Sequence, residues 1–232
     1  MDNKYLDIKI VYEDSDFLVI NKPAGLIVHP KNTDDDQPSV TAWLVLNYPE
    51  TESIGEDPAR PGIVHRLDKE TSGLLLLAKN QGSFAYFKNL FKERKIQKHY
   101  FALVHGQPKS PSGVIDSPLG RIGMKRTTRV IGKKMLDKKE AETEYKTVKE
   151  YAGYTLLDVA PKTGRTHQIR VHLKSIGCPI VGDMVYGKQS DKGLRMFLHA
   201  YRLDFVSPHG EALAIETDQP DSFAYFMADL KS

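Results

Sequence analysis

The hydrophobic pattern of this sequence centres on four consecutive leucines at residues 74–77, which follow a polar stretch at residues 61–73. Proline and glycine at the ends of that stretch predict a loop. The leucine run has neither the alternation of a half-exposed strand nor the length of a helix, so it predicts a short strand covered on both faces. Such a strand gives the loop before it a rigid support.

Shorter patterns predict the remaining elements. Strands are predicted at residues 8–13, 17–20, 98–104, 142–150, 154–160, 197–206 and 212–217. Helices are predicted at residues 40–48, 81–94 and 166–176 and after Pro220, with Ser39 and Thr166 as N-caps of the first and third. In the first helix Trp43, Leu44 and Leu46 are available for burial. This order of strands and helices permits an α/β (α+β) domain.

Composition favours an ordinary globular protein. Hydrophobic residues make up 40% of the chain and charged residues 27%. The N-terminus lacks a signal-peptide pattern, and no apolar run approaches the length of a membrane span. Cys178 is the single cysteine, which excludes an internal disulfide and suits a reducing compartment. We therefore expect a cytoplasmic protein without a membrane partner, with residues 1–232 forming a single domain.

Positive charge is concentrated in one segment, although the formal net charge is only +3. Eight basic side chains and one acid, Asp137, lie within residues 121–139, whereas acids cluster at residues 34–36 and 50–57. Such asymmetry is typical of a protein that binds a polyanion, and a solvated lysine loop is the alternative. The glycines in and around this segment predict a hairpin or a long loop.

Two stretches hold candidate chemistry. His65, Arg66 and Asp68 lie just before the leucine strand, where a rigid support could mount an active site. The alternative is a solvated turn with a surface Arg66–Asp68 ion pair worth less than about 1 kcal/mol. Gly164 and Arg165 precede the third helix, where free backbone N–H groups could bind a phosphate.

These stretches resemble the motifs of the RluA-type pseudouridine synthases. The sequence His-Arg-Leu-Asp at residues 65–68, followed by Thr-Ser-Gly at residues 71–73, is similar to the catalytic motif of that family. Residues 21–25 (Asn-Lys-Pro-x-Gly), 98–102 (Lys-x-Tyr-x-Ala) and 163–172 (Thr-Gly-Arg-Thr-His-Gln-Ile-Arg-x-His) match three further family segments in the same order. The matches extend from Asn21 to Asp183.

The resemblance implies a mixed, largely antiparallel sheet flanked by helices and an RNA pseudouridine synthase acting on ribosomal RNA, tRNA or both. It implies that Asp68 is the catalytic carboxylate, that Arg170 pairs with it, and that Tyr100 stacks on the flipped uracil. Arg66 is expected to enter the space that the base leaves. Further RNA contacts are expected from His65, Lys22, Arg165, Lys125, Arg126 and Arg129.

The resemblance also sets expectations about cofactors and organisation. Moving uracil from a C–N to a C–C bond involves no redox step, so no cofactor and no metal are expected. Many relatives carry a small N-terminal RNA-binding domain, but here the catalytic segment begins close to the N-terminus. A stand-alone, monomeric catalytic domain is therefore expected.

Two other functions fit parts of the pattern. A metal-dependent hydrolase could use His65, Asp68, His167 and His172, although the five-residue spacing of the last two puts them on different faces of a helix. A catalytically inactive RNA-binding module could use Arg66 and the basic segment alone. The presence of Asp68, Tyr100 and Arg170 favours the enzyme over both.

Overall fold

The computed structural model describes residues 8–30, 37–122, 125–128 and 136–230. The chain forms two compact units, Met1–Gln97 with Ala200–Asp218 and Lys98–His199 with Gln219–Ser232, which we call the first and the second unit. None of the helices in the described ranges is long and apolar enough to cross a bilayer.

The described residues form twelve strands and four α-helices. In chain order they are β1 (Lys9–Glu13), β2 (Phe17–Lys22), α1 (Val40–Asn47), β3 (Ser72–Ala78), α2 (Gln81–Lys92), β4 (Gln97–His105), β5 (Ser112–Asp116), β6 (Leu119–Ile122), β7 (Lys125–Thr127), β8 (Leu136–Lys139), β9 (Glu142–Tyr151), β10 (Tyr154–Pro161), α3 (Gln168–Ser175), β11 (Leu198–Val206), β12 (Ala212–Glu216) and α4 (Asp221–Ala228). The predicted α+β class with a mostly antiparallel sheet is confirmed.

The first unit is built around β3. Strand β2 pairs antiparallel with β1 and with β3, while β11 lies next to β3 and pairs antiparallel with β12. All seven residues of β3 are buried, as the leucine run predicts. Phe87 and Leu90 of α2 pack with Leu74 and Leu76 in one apolar cluster. The loop that enters β3 is therefore attached to the most buried strand of this unit.

Helix α1 begins where the sequence predicts, but only part of its predicted burial is observed. The Ser39 side chain accepts a hydrogen bond from the Ala42 N–H at 3.2 Å, which confirms the N-cap. Trp43 and Leu44 are buried, whereas Leu46 is 69% exposed and its predicted burial is wrong. Leu46 lies two residues, or about 200°, beyond Leu44 and so falls on the opposite face of the helix.

In the second unit the order β4-β10-β9-β5 is antiparallel throughout. Strands β9 and β10 turn at Gly153, whose φ of +81° suits glycine. Phe223 of α4 packs on Phe197 in the core of this unit. Strand β6 pairs with β7 and β8 in a separate three-stranded sheet, so the hairpin predicted in the basic segment is confirmed for β6 and β7. Arg129 lies outside the described residues.

Helix α3 starts later than predicted. Its N-cap position is His167, which has a left-handed φ of +57° and makes no side-chain cap bond, so the prediction of Thr166 as N-cap is wrong. The Gln168 side chain turns back instead, and its Oε1 accepts from the Arg165 N–H at 3.0 Å. Gly177, with a φ of +85°, follows the end of the helix as predicted.

Candidate active site

The loop at residues 61–71 is held to β3 by His65. The Nε2 atom of His65 accepts a hydrogen bond from the Leu76 N–H at 2.9 Å, and the imidazole ring stacks on Phe91 with centroids 4.5 Å apart. Because Nε2 accepts, it carries no proton in this arrangement. His65 therefore holds the start of the motif, and its predicted contact with RNA stays a prediction.

Lys22 holds the other end of the motif. Its side chain is 0% exposed. Its ammonium donates to the carbonyls of Pro23 at 2.8 Å, Leu26 at 2.8 Å and Lys69 at 3.1 Å. The Gly25 N–H also donates to the Lys69 carbonyl, at 2.9 Å. This burial contradicts the prediction that Lys22 contacts a phosphate, because its ammonium points inward and bridges two loops.

The backbone conformation and close packing of Gly73 explain why the Thr-Ser-Gly sequence ends in glycine. Its φ is +113°, and a Cβ built on it would lie 2.2 Å from the Ala200 carbonyl oxygen of β11. Any other residue would therefore be strained and would push β3 away from β11. The motif glycine thus allows the close strand contact on which the loop rests.

Asp68 and Arg66 lie between His65 and Lys69, the two residues through which the loop is anchored. Asp68 is half-buried, and its carbonyl accepts from the Thr71 N–H at 3.1 Å in a tight turn. Arg66 is exposed, and its Nη1 lies 3.4 Å from Nε2 of His29. The first unit thus brings Asp68, Arg66, His65 and Lys22 into one pair of connected loops.

Tyr100 lies on β4 in the second unit and is 8% exposed. Side chains alternate along a strand, so Lys98 points to the same face as Tyr100. Burial lowers the pKa of the Lys98 ammonium to about 8. Among the described residues, no hydrogen bond or ion pair reaches that ammonium. The resemblance placed Lys98 in the Lys-x-Tyr-x-Ala motif but gave it no role. Its two-residue spacing from Tyr100 was the signal that could have identified it.

Arg170 is held by a buried carboxylate, Asp183, to which the sequence motifs assign no role. The Nε and Nη2 atoms of Arg170 donate to the two oxygens of Asp183 at 2.8 and 2.9 Å, and its guanidinium lies 5.1 Å from the ring centroid of Tyr186. Burial opposes ionisation of Asp183, but Arg170 and the N–H groups of Tyr186 and Val185 outweigh it and lower the pKa of Asp183. The bidentate pair fixes the direction of the guanidinium. Pairing of Arg170 with Asp68 stays a prediction.

A polar cleft of about 220 Å³ lies in the second unit. Three basic residues line it, Arg126, Lys139 and Arg165, together with Leu119, Asp137, Gly164 and Thr166. The Arg165 side chain is oriented by donating from Nε to the Glu140 carbonyl at 3.1 Å. The predicted phosphate site on free N–H groups is wrong for the Arg165 amide, because Gln168 accepts it. The cations of the cleft, rather than that amide, are the groups suited to an anion.

His172 does not suit the metal site of the rival hydrolase. Its Nδ1 lies 2.9 Å from Thr143 Oγ1, and its Nε2 lies 2.9 Å from the Ser117 carbonyl. Since a carbonyl only accepts, Nε2 carries the proton and Nδ1 accepts from threonine. Both ring nitrogens are therefore used in holding α3 against its neighbours.

Comparison with known proteins identifies the family. Residues 16–175 match the sequence model described as RNA pseudouridylate synthase. An RNA pseudouridine synthase of Aquifex aeolicus is 42% identical, over 94% of this chain and 71% of its own length. Ribosomal large subunit pseudouridine synthase D of Nitrosomonas europaea is 38% identical, over 98% of this chain and 66% of its own. The solved structure of human RNA pseudouridylate synthase domain containing 4 superposes with a TM-score of 0.77 at 28% identity, over 96% of this chain and 94% of that one. The resemblance seen in the sequence is confirmed, and the chain belongs to the RNA pseudouridylate synthase family.

Proposed function

We propose that this protein isomerises specific uridines of ribosomal RNA, tRNA or both to pseudouridine, with Asp68 as the catalytic carboxylate. The name of the Nitrosomonas europaea relative supports a ribosomal RNA substrate. The observation that carries the proposal is the double anchoring of the motif loop, by His65 on β3 and by Lys69 on Lys22 and Gly25. A carboxylate between two fixed points needs little reorganisation during a reaction.

The reaction needs no external reactant. The bond between C1′ of the ribose and N1 of uracil breaks, the base turns, and C1′ bonds to C5. The proton on C5 is lost and N1 gains one, so product and substrate have the same atoms. An anionic side chain next to the ribose can act as nucleophile or base in this sequence. Asp68 supplies that group.

The remaining site residues take roles suited to their surroundings. The target base leaves its stack before the chemistry, and Arg66, exposed at the tip of the loop, fills the vacated space with its planar guanidinium. Tyr100 provides an aromatic face for the flipped uracil. Arg170, oriented by Asp183, contributes a fixed positive charge. The cleft lined by Arg126, Lys139 and Arg165 binds the RNA backbone.

The test is Asp68→Asn, which keeps the shape of the side chain and removes its charge. Transcripts of ribosomal RNA and tRNA carrying tritium at C5 of uridine release that tritium when the C5–H bond breaks. We expect Asp68→Asn to release none, while its affinity for RNA changes by less than about tenfold. The exposed Asp218→Asn serves as the matched control and should behave like the parent.

Tritium release by Asp68→Asn near the parental rate contradicts the assignment of the catalytic group. Absence of release by the parent on every ribosomal RNA and tRNA contradicts the activity itself. Mapping of pseudouridines in a strain that lacks the gene then identifies the modified positions.

A further inference from the structure

His29 is a residue of the first unit to which the reaction assigns no role. It is half-buried in the loop after β2 and makes two contacts through opposite ring nitrogens. Its Nδ1 lies 2.7 Å from the Pro30 carbonyl, and its Nε2 lies 3.4 Å from Nη1 of Arg66. The second contact links the loop at residues 23–30 to the arginine that we propose fills the gap in the RNA.

The chemistry of the two partners fixes the proton on His29. A carbonyl oxygen only accepts, so Nδ1 must carry a hydrogen and donate it to Pro30. A guanidinium only donates, so Nε2 must present its lone pair to Arg66. Only the neutral imidazole with its proton on Nδ1 satisfies both contacts. An imidazolium would set an N–H of His29 against an N–H of Arg66.

The charges around His29 favour this neutral form. Burial lowers the pKa of His29 below its ordinary value, and the positive charges of Arg60 and Arg66 lower it further. The hydrogen bond to Pro30 and the negative charge of Asp57 act in the opposite direction and are outweighed. At neutral pH the ring is therefore an acceptor aimed at Arg66.

We infer that His29 is a positioning residue for Arg66, an inference that rests on the proposed function. An exposed arginine has many rotamers, and taking the place of a base inside an RNA stem restricts it to few of them. The contact with His29 restricts the guanidinium before RNA arrives, so less entropy is lost when it takes the place of the base. At 3.4 Å the bond is long, which lets Arg66 leave His29 without a large barrier.

The test compares single-turnover rates on two RNAs with the same target uridine, one folded into a stem–loop and one unstructured. We expect His29→Ala to slow the reaction on the stem–loop by about threefold to tenfold, as for one side chain that must be ordered. The rate on the unstructured RNA should not change, because no stacked base has to be replaced. His29→Gln should restore most of the rate, since its amide oxygen can accept from Arg66. His209→Ala, which alters an exposed histidine paired with Asp16, is the matched control.

A double-mutant cycle connects the effect to Arg66. The pair of substitutions His29→Ala and Arg66→Ala should be no slower on the stem–loop than Arg66→Ala alone. At a pH low enough to protonate His29, the parental rate on the stem–loop should equal that of His29→Ala measured at the same pH. A full additional loss in the Arg66→Ala background overturns the inference, and so does an equal loss on both RNAs.

A measurement without RNA keeps the inference separate from the proposed function. Nitrogen-15 NMR of the histidine rings at neutral pH should show the Nδ1–H form of His29, and Arg66→Ala should raise the pKa of that ring. The Nε2–H form or an imidazolium at neutral pH overturns the inference whether or not the protein modifies RNA. Lack of product from the parent overturns the proposed function alone. Thermal melting of each variant identifies losses that come from misfolding.

Discussion

Lys22 in the first unit and Lys98 in the second differ in how their surroundings accommodate a positive charge. Lys22 of the first unit is 0% exposed, and its ammonium donates to three backbone carbonyls. Lys98 of the second unit is partly buried on β4, where burial lowers the pKa of its ammonium to about 8. The surroundings of Lys22 replace the water that it loses on folding. Those of Lys98 disfavour its charge.

The difference separates a structural lysine from a candidate functional one. A buried charge with hydrogen-bond acceptors on all sides stabilises one arrangement of the chain and explains why the loops after β2 and before β3 stay together. A desolvated charge without such acceptors destabilises the fold, and such positions concentrate at functional sites. Lys98 points to the same face of β4 as Tyr100, which makes it a candidate to act beside Tyr100.

The largest expected effect is that of Lys22→Met. The substitution keeps most of the side-chain volume but removes the ammonium donor from the carbonyls of Pro23 and Leu26, while the Lys69 carbonyl keeps only the Gly25 N–H. Each buried carbonyl left without a donor costs about 1–3 kcal/mol, so the loss of two such bonds costs about 2–6 kcal/mol. In a chain of this length that corresponds to a fall in melting temperature of roughly 10 °C, measurable by calorimetry.

Lys92→Met serves as the control, because Lys92 is exposed at the end of α2 and should be nearly neutral. If Lys22→Met melts at the parental temperature, the carbonyl contacts do not hold the loops. The product-forming rate should fall together with stability, since Asp68 lies one residue before the Lys69 carbonyl.

Lys98→Met should have a smaller effect of opposite sign. Its pKa is about 8 in the folded chain and 10.5 ordinarily. Below pH 8 the group is charged in both states and the penalty of burial is complete. Between these values the folded state releases its proton while the unfolded state keeps it, so stability rises with pH. At pH 7 the variant should gain about 1–2 kcal/mol, allowing for partial exposure.

The gain should largely vanish as the pH rises to 10.5, where the parental lysine is neutral in the folded state and already half neutral in the unfolded state. Melting curves of parent and variant at pH 7 and at pH 10.5 measure it. A variant that is less stable than the parent at pH 7 contradicts the desolvation of Lys98. A variant that is more stable but slower in forming pseudouridine supports a functional role, since active sites often trade stability for activity.

The sequence predicted most elements but few of these partners. The leucine strand, the Ser39 cap and the turn at Gly153 depend on residues that are neighbours in the chain, so local pattern was sufficient. Lys22 depends on a carbonyl 47 positions away, which no local pattern contains. The Thr166 cap failed for a related reason, because His167 adopts a left-handed backbone and Gln168 satisfies the preceding amide. Motif resemblance named Arg66 and Arg170, but not His29 as the neighbour of Arg66 or Asp183 as the partner of Arg170.

A third class of cation completes the comparison, the basic side chains that line the cleft of the second unit. Arg126 is half-buried and Lys139 is exposed, so neither has the burial of Lys22. The double substitution Arg126→Gln and Lys139→Gln should leave the melting temperature nearly unchanged, because exposed charges contribute little to folding. If each binds one phosphate, the slope of log K against log salt should flatten by roughly 0.7–0.9 for each contact, or about 1.5 in total. The loss should be similar on any RNA, since phosphate contacts carry no sequence information.

Lys92→Gln with Lys109→Gln removes the same charge from exposed positions outside the cleft and should leave the slope as it is in the parent. If the two double variants change the slope equally, net charge rather than the cleft attracts RNA, and the cations of the second unit are solvated surface.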